Sequence, residues 1–123
     1  MPKTPVLLFR ESDGSTPLVE WLGDLPEKVR DKCVVRLRRL GEMGHELRRP
    51  EADFLRDGIY ELRVGFRGMN YRMLYFFHGN IAAIVSHGLM KEREVPPNEI
   101  DRAVARMKQY LTNPRRHTIE MTL

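Results

Sequence analysis

Apolar and polar residues alternate through the middle of this chain and follow a longer period at both ends. In "IYELRVG", residues 59–65, Tyr60, Leu62 and Val64 share one parity, and Ile59, Glu61 and Arg63 the other. A two-residue period is that of a strand, whose side chains point to alternate faces. Asn70 to Phe77 and Ile81 to Leu89 carry the same signature. The connections between these runs, "GFRGM" and "HGN", are short enough for hairpins, so the order predicts an antiparallel meander. Alternation sets Arg72 with Leu74 and Phe76, and His87 with Ile81, Ala83, Val85 and Leu89; Lys91 follows just beyond the strand end.

Helical spacing appears on either side. Val29, Cys33, Leu37 and Leu40 fall at i, i+4, i+8 and i+11, one apolar stripe on a helix that starts at Pro26 and is ended by Gly41 and Gly44. A brief helix precedes it, with Thr16 as N-cap, Pro17 at the first position and Gly23 at the end. A last helix begins near Pro97 and carries Ile100, Ala103, Val104, Met107, Tyr110 and Leu111 before "TNP" closes it. Val6 to Arg10 reads as a short strand, and "HELRRPEADFLRDG" as a loop anchored by Phe54 and Leu55. The tail "RRHTIEMTL" is either frayed or an extra strand, and Met69, Met73, Met90 and Met107 read as core fillers. The fold class expected is α+β: N-terminal helices and a C-terminal helix packed on a small, mainly antiparallel sheet. With 123 residues and no repeat or linker, residues 1–123 are expected to be one domain.

Charge changes the picture. Twenty-one Lys and Arg against 17 Asp and Glu leave a net charge of +4, which favours polyanions or acidic proteins as partners. Cys33 is alone, so no disulfide is expected, and no Cys/His spacing suggests a metal. No run reaches the ~18 apolar residues of a membrane span, and the apolar run in "MPKTPVLLFR" is too short for a secretory signal. The expected location is cytoplasmic, with no membrane partner and no cofactor.

The anomaly is Arg63 and Arg72, two guanidiniums in the most apolar stretch of the chain. Buried unpaired, each costs several kcal/mol. Neighbouring antiparallel strands can bring them together on a face that helices leave open. There, with His87 and Lys91 nearby, they suit a phosphate, whose oxygens arginine forks bind bidentately. The structural alternative pairs Arg63 with Glu61 or a helix carboxylate, and Arg72 with Glu94 or Asp57. Likewise, the basic helix face is either a solvated surface or a contact for RNA phosphates. Its candidates are Arg36, Arg38 and Arg39, with Arg48, Arg49 and the turn residue Arg67.

"LRDGIYELRV", "NYRMLYFFHGN", "IVSHGLMK" and "PPNEIDRA" together resemble the RelE/ParE toxin superfamily, in particular its HigB-like, phage-associated branch of type II toxins. The resemblance covers roughly Phe54 to Arg106. It implies a ribosome-dependent, metal-independent endoribonuclease that cuts mRNA and is silenced by a helix-turn-helix antitoxin, with operator DNA reached only through that antitoxin. Residue by residue it places the strand arginines at Arg63 and Arg72 and the basic residue after the last strand at Lys91. Tyr60, Glu61 and His87 match positions lining or bracing the same surface. Glu92 stands where many relatives have a second Lys, and Val95 where relatives often have a helix-capping Thr. The chemistry implied is attack of the ribose 2′-hydroxyl on the adjacent phosphorus, a step DNA cannot undergo. It needs a base, cationic support and an acid. Arg63 and Arg72 are the candidates for phosphate support, with Lys91, His87 and Glu61 as acid or base candidates. The competing functions are a ParE-like gyrase inhibitor and a degenerate member that only binds its antitoxin.

Overall fold

A computed structural model describes residues 3–91 and 93–121. The strands are β1 (Val6–Phe9), β2 (Ala52–Arg56), β3 (Ile59–Phe66), β4 (Met69–His78), β5 (Ala82–Met90) and β6 (Thr118–Glu120). The helices are α1 (Pro17–Gly23), α2 (Glu27–Met43) and α3 (Pro97–Thr112), with one 3-10 turn over Gly44–Glu46. Among the described residues the strands form one sheet in the order β2-β3-β4-β5-β1-β6. Every pairing is antiparallel except β1 with β5. The fold is α+β, as the period changes predict.

Both faces of the sheet are covered, so the expectation of helices on one face alone is corrected. The α2 stripe of Val29, Cys33, Leu37 and Leu40 joins Leu18 and Leu22 of α1 over Leu62, Val64, Met73, Tyr75, Ala83 and Val85. On the other side Ile100, Ala103 and Tyr110 of α3 pack on Ile59, Leu74, Phe76 and Ile84. Each fully buried aliphatic side chain contributes ~1.5–3 kcal/mol by leaving water, and Leu37, Leu40 and Leu62 have no exposure at all.

Two further boundaries differ from the sequence reading, at β2 and at the end of α2. The stretch read as a loop contains β2, whose residues pair with β3; "RRP" ahead of it breaks the pattern and only five residues carry the strand. Part of the tail forms β6 against β1, the extra strand among the two readings of that segment. Gly41 does not end α2, which runs on to Met43, and Gly44 follows at φ 54°, a left-handed region that suits glycine. Thr16 occupies the N-cap position of α1 without a side-chain capping bond. Of the four methionines read as core fillers, Met90 is half exposed.

The parity of β5 is also corrected. Leu74 pairs with His87 but Tyr75 pairs with Val85, so Ser86 is a bulged extra residue. A bulge moves the residues beyond it to the other face. Ala83 and Val85 therefore belong to the α1/α2 side, whereas His87 and Leu89 belong to the α3 side.

Candidate functional site

The site is built from rows across the sheet on the α3 side. One row runs Asp53, Glu61, Leu74, His87; the next, toward the β3–β4 turn, runs Arg63, Arg72, Leu89. Arg63 and Arg72 are direct cross-strand partners, a relation that sets Cβ atoms ~4.5–5.5 Å apart. At Arg63 the face opens: its side chain is 38% exposed, against 12% for Arg72.

Carboxylates hold the two cations in place. Glu61 Oε1 accepts from Arg63 Nε at 2.8 Å and from Arg72 Nη1 at 2.6 Å. Asp53 Oδ2 accepts from Arg63 Nη2 at 3.2 Å and pairs with Arg49 Nη2 at 2.8 Å. The Arg49 guanidinium bonded to Asp53 holds that carboxyl below its usual range. The chain Arg49–Asp53–Arg63–Glu61–Arg72 thus carries three positive and two negative charges, one net positive. The buried Nε of Arg72 has no hydrogen-bond partner among the described residues. Arg72 pairs with neither Glu94 nor Asp57; Asp57 is bound by Arg56 instead.

Lys91 is exposed, and its backbone N–H donates to the Asn70 carbonyl at 3.1 Å, extending the β4–β5 ladder by one step. That parity places Lys91 on the side of Leu89 and Arg72, one row further out. Beside it Met69, Met90, Lys91, Arg93, Glu94 and Pro96 line an open recess of about 470 Å³. Glu92 lies outside the described residues.

Two residues expected at this surface lie elsewhere. Tyr60 is on the opposite side of β3, against Tyr75 at 5.3 Å between ring centroids and Phe77 at 5.3 Å. Strand alternation forces this, because Glu61 and Arg63 take the α3 face. His87 is on the α3 face but under the helix, 5% exposed, with Ser86 Oγ 2.8 Å from its Nδ1 and Glu99 3.6 Å from its Nε2. Burial, with Arg106 and Arg102 nearby, lowers its pKa to about 4. The 3.6 Å approach to Glu99 would favour an imidazolium, but Glu99 already binds Arg102 at 3.2 Å. Desolvation of a ring this buried outweighs that one carboxylate, so His87 is neutral.

The second group of arginines is dispersed. Arg36 and Arg39 both reach Glu51, at 3.7 and 3.1 Å, and Arg36 Nη1 donates to the Arg63 carbonyl. Arg67 covers the Phe66 ring in the β3–β4 turn. Arg38 lines a shallow recess on α2 with Arg30, Asp31, Val34 and Val35. Arg48 is exposed, and Arg49 is tied to Asp53.

Sequence reasoning missed Asp53 and Glu51, both inside the stretch read as loop. The alternation of Ala52, Asp53 and Phe54 is the signal that pointed to a strand there. Cys33 is buried and its thiol is pushed up to about 11, which makes it inert. Among the described residues no group of three or more His, Cys, Asp or Glu side chains is placed to hold a metal ion. No helix among them is long and apolar enough to cross a membrane.

No curated protein matches the chain. One family model does, over residues 20–108, a span from α1 into α3 that includes Arg49, Asp53, Glu61, Arg63, Arg72 and Lys91. The chain belongs to that family, described as Phage derived protein Gp49-like.

Proposed function

We propose that this chain is the toxin of a toxin–antitoxin pair and that it acts by cutting messenger RNA on the ribosome. The family is associated with toxins of the RelE/HigB type, which supports the toxin reading. The observation that carries the nuclease reading is the cross-strand pair Arg63–Arg72, held side by side by Glu61 with one guanidinium open to solvent. In this mechanism the ribose 2′-oxygen attacks the adjacent phosphorus, its proton passes to a base, and the 5′-oxygen leaves with a proton from an acid. A 2′,3′-cyclic phosphate remains. Arg63 meets the phosphate first, Arg72 supports it from behind, and both stabilise charge as it grows on the phosphoryl oxygens.

Lys91, an exposed cation on the same face, gives the proton to the departing 5′-oxygen, and solvent at the open face takes the 2′ proton. Glu61 orients both arginines; a carboxylate 2% exposed and bound twice is poorly placed to collect a proton from substrate. The antitoxin proposed is a helix-turn-helix protein presenting acidic residues to this surface.

One observation favours a second reading. Because Glu61 and Asp53 offset most of the arginine charge, a member that only binds its antitoxin would keep the same ion pairs for stability alone. Induced expression in bacterial cells separates the two. Growth arrest by the wild type and its relief by Arg72→Ala, with the variant's thermal unfolding still cooperative, is expected of the nuclease. Arrest undiminished by Arg72→Ala contradicts it.

A further inference from the structure

Around the β2 edge from the arginine pair, on the opposite side of the sheet, lies a recess of about 450 Å³. That size lies within the roughly 300–1,000 Å³ of small-molecule recesses. Leu47 and Ala52 form its buried floor, Phe54, Tyr60 and His45 supply rings, and Arg48, Arg49 and Asp53 stand at its rim. The rings are part of a ladder. His45 stacks on Phe77 at 3.7 Å between centroids, Phe77 meets Tyr60 edge-on, and Phe54 meets Tyr60 edge-on at 5.1 Å.

The ladder's inner members are packed, but Phe54 at its outer end is 53% exposed. An exposed phenyl over a cavity, on an edge strand between Asp53 and Arg56, calls for a flat apolar partner. The rim says what that partner carries. Arg48 has no acidic partner among the described residues, and Arg49 is 74% exposed beyond its bond to Asp53. A flat ring flanked by negative charge is the chemistry of a nucleotide in a single strand, whose base stacks on an aromatic while its phosphates meet guanidiniums.

We infer that the Phe54 recess is a stacking site for one unpaired base of single-stranded RNA, with the flanking phosphates on Arg48 and Arg49. This rests on the RNA reading above and adds a second point of contact to it. Asp53 joins the two sites, since it binds Arg49 at the recess and Arg63 at the arginine pair. An RNA strand passing around the β2 edge can therefore engage both.

The test is equilibrium binding of a fluorescent single-stranded oligoribonucleotide to the purified full chain, with heparin as a polyanion that has no bases. Phe54→Ala is expected to weaken RNA binding about tenfold, the scale of one stacked base, and to leave heparin binding unchanged. Phe54→Tyr should bind RNA within about twofold of wild type, and Phe54→Leu should bind as poorly as Phe54→Ala. Arg48→Ala should lower the slope of log affinity against log salt by about one. Full RNA affinity in Phe54→Leu would show an apolar side chain of a protein partner as the proper occupant and overturn the inference. Equal losses for RNA and heparin, or no RNA binding by the wild type at low salt, would overturn it too. The nuclease reading fails separately, through arrest that survives Arg72→Ala while RNA binding still depends on Phe54.

Discussion

Two guanidiniums set opposite each other on neighbouring strands repel, and here one carboxylate, Glu61, is shared between them to offset that cost. Removing a partner from a buried pair costs about 3–5 kcal/mol because the charge left behind is uncompensated. Solvent at Arg63 softens this, so Glu61→Ala should destabilise by about 3 kcal/mol, read from the urea midpoint. A loss under about 1 kcal/mol would mean that the pair does not depend on Glu61. Arg72→Ala should cost less, since Glu61 keeps Arg63 and no buried cation is stranded. His87 makes a pH prediction. Its folded pKa, about 4, lies below the ordinary 6.5, so the unfolded chain takes up the proton first. Stability from neutral His87 is complete above pH 6.5 and is lost as pH falls toward 4, on the order of 3 kcal/mol in all. Thermal unfolding followed from pH 7 to 4 should show a steeper decline in the wild type than in His87→Gln. Parallel declines would contradict a buried neutral ring.

At the scale of elements, β5 and α1 fit closely. A Cβ on Gly88 would run into the Trp21 ring, which must shift to admit it. Gly88→Ala should therefore cost about 1–3 kcal/mol by overpacking, measured as a shift in denaturation midpoint; a neutral result would place Trp21 elsewhere. The elements with long, regular periods were legible in the sequence: the α2 stripe, the α3 stripe and the β3–β4–β5 meander. Of the short ones, β1 and α1 were read, β6 stood as one of two alternatives and β2 was missed. β2 and β6 hold five and three residues, too few for alternation to stand out from their charged neighbours. The Ser86 bulge left no local sign, because Ser is as much at home in a strand as beside one. It parts His87 from Ala83 and Val85 and leaves His87 on the α3 face, where the helix covers it.

At the scale of the whole molecule, the net charge of +4 is not concentrated at the arginine pair. Most of the candidate basic residues are held by carboxylates: Arg36 and Arg39 by Glu51, Arg49 and Arg63 by Asp53, Arg63 and Arg72 by Glu61. The proximity of Arg63 and Arg72 could be inferred from strand order and parity. Of their counter-ions, Glu61 was offered for Arg63, but its sharing with Arg72 and the part of Asp53 were not, because Asp53 sits on a strand hidden in what read as a loop. The function consequently turns on whether a partly neutralised arginine pair still acts on RNA. Mapping the 5′ ends of transcripts after induction, for wild type beside Arg72→Ala, tests this most directly. New cleavage ends within translated reading frames in the wild type, absent from Arg72→Ala, are the predicted result. Identical transcript ends in induced wild-type and Arg72→Ala cells would contradict it.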